Sequence, residues 1–335
     1  MKSVKFALVT VALAALAVYP VGAANVLIKL ATIAPDGSTW DKALGQLGDT
    51  WRKGTAGRVT LRIYAGGTLG TEATILKRMN TGQLQAGSFT AVGLAQIDDA
   101  FNVFAIPMFY ASYAELDYVM GKLAPDLDQR LEARKFKRLN WGLGGWIQVF
   151  SKSPIHTVDD ARALKLFTSA DDDRMVEWYK RNGFKPQPLA VSDLMTSLQT
   201  GMVEALPVPP LSALAFQWYE QTPYMLDLGL GPLVGATVMT LSAWNRISPE
   251  DQAVVLASSA GTGQQLNTDV PKQEAEAIQQ MKQRKLTVTK ATGDEWRTAA
   301  AEFAQSMRGD MVPADIYDLA VSARDEYRKS HGGRH

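Results

Sequence analysis

The sequence predicts an α/β fold with mostly parallel sheets flanked by helices. Short apolar strands alternate with amphipathic helices along almost the whole chain. From Val26 to Thr90 the order is strand, helix, strand, helix, strand, which is the signature of parallel strands joined by crossover helices. After residue 160 the same theme begins again, and about 310 residues beyond the N-terminal leader are enough for roughly two domains with sizeable cores.

The leader comes first. Lys2 and Lys5 precede an apolar run from Phe6 to Val18 that ends in Val21-Gly22-Ala23-Ala24, so residues 1–24 read as a secretory signal peptide cut after Ala23 or Ala24. The run is short and wrongly flanked for a stable membrane anchor. Export to the periplasm is the expected destination, and the chain contains no cysteine with which to use an oxidising compartment. Losing the two lysines takes the formal charge from +1 to −1, with the remaining Lys and Arg spread along the chain. Nucleic acid is therefore not an expected partner, nor is an anionic membrane surface.

Val26 to Thr32 reads as a strand. Ser38 to Lys53 reads as a helix with Trp40, Ala43, Leu44, Leu47 and Trp51 on one face, closed by Gly54 and Gly57. Arg58 to Tyr64 alternates strictly, Val59, Leu61 and Ile63 against Arg58, Thr60 and Arg62, as a half-buried strand does. A helix over Thr71 to Thr81 stops at Gly82, and Leu84 to Thr90 is the third strand.

In the second half, a strand near Leu164 to Thr168 leads to a helix from Asp172 to Arg181 that ends at Asn182-Gly183. A short helix from Ser192 buries Leu194, Met195 and Leu198 and terminates at a left-handed Gly201. An apolar segment, Met202 to Val208, and an alternating strand, Val234 to Ser242, follow. Ser248 caps a helix with Pro249 at its first position, and the helical pattern runs to about Arg284, with Pro271 expected to kink or divide it. A strand at Leu286 to Thr289 and a terminal helical region broken near Gly309 and Pro313 complete the chain. The segment Trp141 to Ser151, with Gly142, Gly144 and Gly145, reads as a crossing hinge.

Tyr64 to Glu72 followed by Thr81 to Gly87 gives a glycine-rich turn, a helix and a "G-x-L-x-x-G" strand that resemble those of the DctP-type solute-binding proteins of TRAP transporters. Ala105-Ile106-Pro107-Met108-Phe109-Tyr110 is similar to that family's "lPflf" segment, and Pro154 to Asp160 to its "pI-x-t-p-e-D" segment. Val191 to Glu204 is similar to "e-v-y-t-A-L-q-t-G-v-v-D", and Trp244 with the following Ser-Pro-Glu-Asp-Gln fits as well. The likeness runs in order from about residue 26 to 330.

The resemblance implies a non-enzymatic periplasmic binding protein with two α/β lobes, joined by crossing hinge strands and backed by a long helix. It delivers a solute to TRAP membrane subunits. Lobe 1 would comprise 25–146 with 236–274, lobe 2 would comprise 147–235 with 275–330, and 331–335 would be a disordered tail. The family carries a basic side chain after the strand that follows "p-e-D-l-k-G-l-K-i", where it clamps a ligand carboxylate. Here that position falls on Phe167, and Leu206-Pro207-Val208-Pro209-Pro210 replaces the polar "q-e-N-P". The expected lining is thus Trp40, Phe89, Trp141, Trp146, Phe150, Phe167, Leu206 and Val208, suited to a hydrophobic or amphipathic solute and to no cofactor. Trp40 and Trp141 are equally at home in a core. Some relatives work with a tetratricopeptide-repeat (TPR) partner, so a carrier or signalling role beside such a protein, without a TRAP permease, is the alternative implied.

Other chemistry has little support. His156 stands alone, with His331 and His335 in the tail, so no metal or triad constellation is legible. Asp171-Asp172-Asp173 reads as a helix cap in preference to a calcium site. Tyr64 to Gly70 lacks the Gly-Lys-Ser/Thr ending of a phosphate loop. Lys165 could reach an anion, although the corresponding family residue points away from the cleft.

Overall fold

The computed structural model describes residues 25–332, so the expected signal peptide and residues 333–335 lie outside the described residues. The chain runs β1 (Val26–Thr32), α1 (Thr39–Gly54), β2 (Val59–Tyr64), α2 (Glu72–Asn80) and β3 (Ala86–Thr90). Strand β1 lies between β2 and β3 and is parallel to both. Ser38 and Thr71 cap α1 and α2 by accepting hydrogen bonds from the amides of Asp41 and Thr74. Of the expected inner face of α1, Ala43, Leu44, Leu47 and Trp51 are buried; Trp40 is half-buried.

Next come α3 (Ala91–Ala95), a 3₁₀ turn over Asp99–Ala105, and α4 (Tyr113–Ala133). The sequence reading left α4 unassigned, yet Leu116, Val119, Met120, Leu123, Leu127 and Leu131 form a buried stripe at helical spacing behind a Ser112 cap. Gly121 and Pro125 interrupt the propensity and mask it.

The chain then passes into β4 (Phe136–Ser151), α5 (Val158–Ala163), β5 (Lys165–Ser169), α6 (Asp173–Arg181), β6 (Lys185–Leu189), α7 (Leu194–Thr200), β7 (Ala205–Val208) and α8 (Pro210–Ala215). Strand β8 (Tyr224–Thr240), α9 (Leu241–Trp244), α10 (Pro249–Gln283), β9 (Thr287–Thr289), α11 (Glu295–Met307) and α12 (Ala314–Ser330) complete it.

The strands form one mixed sheet in the order β2-β1-β3-β8-β4-β7-β5-β6, with β9 alongside β8. The antiparallel pair β4 and β8 serves both halves. Phe136 pairs with Thr240 at one end and Ser151 with Tyr224 at the other, with register shifts near Arg138, Leu143 and Ile147. The parallel strands β1, β2 and β3 flank one end of this pair, and β5, β6 and β7 flank the other. This is a two-lobe α/β architecture.

Helix α10 backs the crossing strands. It runs unbroken through Pro271, contrary to the expected division, and Leu266, Val270 and Glu274 on either side of the proline are buried. Gly263 permits the close approach, since a Cβ there would lie 2.5 Å from the Trp141 carbonyl oxygen. Phe303, Met307, Ile316, Ala320 and Ala323 of α11 and α12 share a core with Leu116, Leu123 and Leu131 of α4, while Trp296 at the start of α11 is buried with Val149, Ile155 and Leu166. His331 continues α12 by stacking on Tyr327, with ring centroids 4.2 Å apart.

Candidate functional site

A cavity of about 420 Å³ lies between the lobes, where the C-terminal ends of β1 and β3 face β5 and the middle of β4. That volume is within the range of small-molecule pockets. Four of the eight expected lining residues stand in its wall: Trp40, Phe89, Phe167 and Val208. Trp40 is fixed there by its indole N–H, which donates to the Leu143 carbonyl at 2.7 Å.

The other four face elsewhere. Trp141 packs edge-on against Phe104 and lies beneath the Arg138 guanidinium. Trp146 meets Tyr113 edge-on, with centroids 5.1 Å apart. Phe150 and Leu206 are cross-strand partners inside the core of the second lobe, both fully buried. The register shift on β4 accounts for where Trp141, Trp146 and Phe150 lie. Before it Asn140 and Gly142 line the cavity; after it Ile147 and Val149 do, so the inward-facing parity changes across Leu143 to Gly145.

Aromatic residues that sequence reasoning missed complete the wall. Trp178 of α6 and Phe303 of α11 lie with ring centroids 4.0 Å apart, and both stand in the wall. Phe104, Phe184 and Phe216 line it as well.

No Lys, Arg or His belongs to the lining among the described residues. Lys165 points away, its ammonium donating to the Gly201 carbonyl at 2.9 Å. The carboxyl groups in the wall are Glu72 and Asp172. Glu72 accepts from the Thr90 amide at 2.6 Å and the Thr90 hydroxyl at 2.7 Å. Burial nevertheless pushes its carboxyl up to about 7, and the nearby Asp171 adds to the rise. Asp172 caps α6 through the Met175 amide, as expected of the acidic triplet, and burial raises its carboxyl too.

The mouth of the cleft is clasped by the turn into α6. Asp171 accepts from the Ala73 amide at 3.1 Å through its carboxylate, and its carbonyl accepts from the Gln96 side chain at 2.7 Å. Arg174 is paired with the Asp99 carboxylate and donates to the Asp310 carbonyl at 3.1 Å. The Arg174 to Asp99 pair is part-exposed and should contribute less than about 1 kcal/mol to closure. Arg174→Ala is expected to raise the open fraction of the unliganded protein about two- to fivefold. Small-angle scattering profiles that superimpose for the two proteins would exclude that role.

A family model described as bacterial extracellular solute-binding protein, family 7 (DctP), matches residues 30–310. The chain belongs to the DctP family. The C4-dicarboxylate-binding periplasmic protein of Rhodobacter capsulatus is 24% identical over 297 residues, 88% of each chain. The sialic acid-binding periplasmic protein of Vibrio cholerae is 22% identical over 271 residues, 78% of this chain and 82% of that protein. An uncharacterised Haemophilus influenzae protein is 26% identical over a shorter stretch, 58% of this chain and 59% of its own length. In fold, a TRAP periplasmic solute-binding protein from Ralstonia eutropha with bound (S)-2-acetolactate superimposes with a TM-score of 0.84 at 19% identity, covering 90% of this chain and 99% of that one. DctP7 of Bordetella pertussis, which binds pyroglutamic acid, gives 0.82 at 16% identity, covering 89% and 99%. This DctP-family member is a TRAP-type solute-binding receptor of the periplasmic class and not an enzyme.

Proposed function

We propose that this receptor closes around a neutral, largely apolar or amphipathic solute and delivers it to TRAP membrane subunits. The observation that carries the reading is the lining itself: aromatic and aliphatic side chains, two carboxyl groups of raised pKa, and no basic residue among those described. Phe167 stands in the middle of β5, at the position where the family resemblance leads one to expect the carboxylate clamp. A carboxylate sealed in this cleft would lose its hydration with no guanidinium to replace it, at a cost of several kcal/mol. An apolar body gains about 0.8 kcal/mol for each buried methylene. The acids bound by the relatives would therefore be poor ligands for this chain.

The two lobes would be 25–142 with 235–270 and 295–330 on one side, and 146–231 with 274–290 on the other. The glycines at 142, 144 and 145 would serve as the hinge. Calorimetry is expected to give no measurable binding of succinate, galacturonate or pyroglutamate. Organic extraction of protein purified from its own periplasm should release an apolar molecule. Tight binding of any of the three acids would overturn the reading.

A further inference from the structure

The cleft is apolar but its floor is not. Four polar side chains lie in a line across neighbouring strands: Thr32 of β1 is in register with Ser88 of β3, Ser88 with Thr237 of β8, and Thr237 with Asn140 of β4. All four line the cavity, and all but Ser88 are more than nine-tenths buried. Thr32, Ser88 and Thr237 share the sheet face of Leu30, Ala86 and Met239, which are core two residues away on each strand.

The row is only partly satisfied from within. Thr237 and Ser88 approach each other at a long 3.4 Å, and Thr32 accepts from the Ala34 amide at 3.2 Å. Asn140 Oδ1 has no hydrogen-bond partner among the described residues. The same holds for Thr168 Oγ1, which belongs to the cavity wall on β5 of the other lobe. Purely apolar packing has no use for such groups, and leaving them unpaired costs stability. The neighbouring carboxyls of Glu72 and Asp172 disfavour an anion beside them.

Building on the apolar-solute reading above, we propose that the occupant carries a neutral hydroxyl-bearing end. That end docks on the polar row at Asn140 and reaches Thr168 when the lobes close, while the rest of the molecule lies among the aromatic side chains. A hydroxyl both donates and accepts, so it can serve an amide and two or three side-chain hydroxyls together. It also brings no negative charge into a site that has carboxyl groups and no basic side chain.

A matched series on one aromatic body tests this: naphthalene, 2-naphthalenemethanol, 2-naphthylmethylamine and 2-naphthoate, each titrated by calorimetry into the full mature protein. The alcohol is expected to bind about five- to tenfold more tightly than naphthalene, the scale of one or two net hydrogen bonds. Naphthoate should be the weakest. In both Asn140→Leu and Thr168→Val the ratio of alcohol to naphthalene affinity should shrink by at least threefold. Thr168→Val is nearly isosteric and keeps the test open if the Asn140 variant misfolds. An advantage undiminished in Thr168→Val, or tighter binding of the amine than of the alcohol, would overturn the polar-row assignment while leaving an apolar-solute receptor intact. Failure of all four compounds to bind, or preference for naphthoate, would bring down the apolar-solute reading itself.

Discussion

Glu72→Gln is expected to stabilise the protein at pH 8 by about 3 kcal/mol and to flatten its stability between pH 4.5 and 7. The folded carboxyl titrates at about 7, against 4.5 when free in solution, because it is sealed beneath the cleft wall. Between those two values the folded protein holds a proton that the unfolded chain has released. Stability therefore falls as pH rises through this window, and above it the wild type bears the full cost of a buried charge. A glutamine keeps the geometry: its carbonyl oxygen can accept from the Thr90 amide and its amide can donate to the Thr90 hydroxyl, which now donates to Glu72. Urea unfolding of both proteins at pH 5, 6, 7 and 8 checks this. Parallel pH profiles would mean that Glu72 is ionised in the fold like any surface carboxylate. Asp171 adds to the rise through its charge, and its carboxylate accepts from the Ala73 amide.

Much of the fold was legible because local signals and packing agree. The period of two from Arg58 to Tyr64, the helix starts at Ser38 and Thr71, the cap at Ser248 and the left-handed Gly201 each mark an element to within a residue or two. Strand β8 was legible only from Val234, because Gly229, Gly231 and Pro232 break the alternation where it crosses between lobes. Pro271 misled for a tertiary reason. Packing of α10 against β4 holds one helix together where propensity alone would divide it.

The site was harder to read than the fold. A tryptophan in a cleft and a tryptophan in a core are the same residue type, and only the facing of the strand separates them. On β4 that facing changes at a bulge no periodicity reveals, and Trp141, Trp146 and Phe150 fall outside the cavity wall. Trp178 and Phe303 come together from helices distant in the chain, and no local pattern announces such a pairing. Phe167, which the resemblance placed at the clamp position of a motif, lines the cavity.

Breaking the pair of Glu115 and Arg328 is expected to cost about 2–3 kcal/mol, and the loss should identify the lobe to which the C-terminus belongs. Glu115 is buried in the first turn of α4; it accepts from the Ala111 amide at 3.0 Å and is gripped by the Arg328 guanidinium through two bonds of 2.8 Å. Arg328 also donates to the Phe109 carbonyl at 3.2 Å, which anchors α12 to the segment leading into α4. Removing Arg328 leaves a buried carboxylate with one backbone donor. Removing Glu115 strands a guanidinium that can partly rehydrate, since its side chain is 27% exposed, so the cost falls below that of a fully enclosed pair. A double-mutant cycle of Glu115→Ala and Arg328→Ala, read by urea unfolding, should yield a coupling of at least about 1 kcal/mol. Were α12 part of the second lobe, as the chain order suggests, the two substitutions would be independent and their effects would add. Additivity within about 0.5 kcal/mol would therefore return the terminal helix to the second lobe.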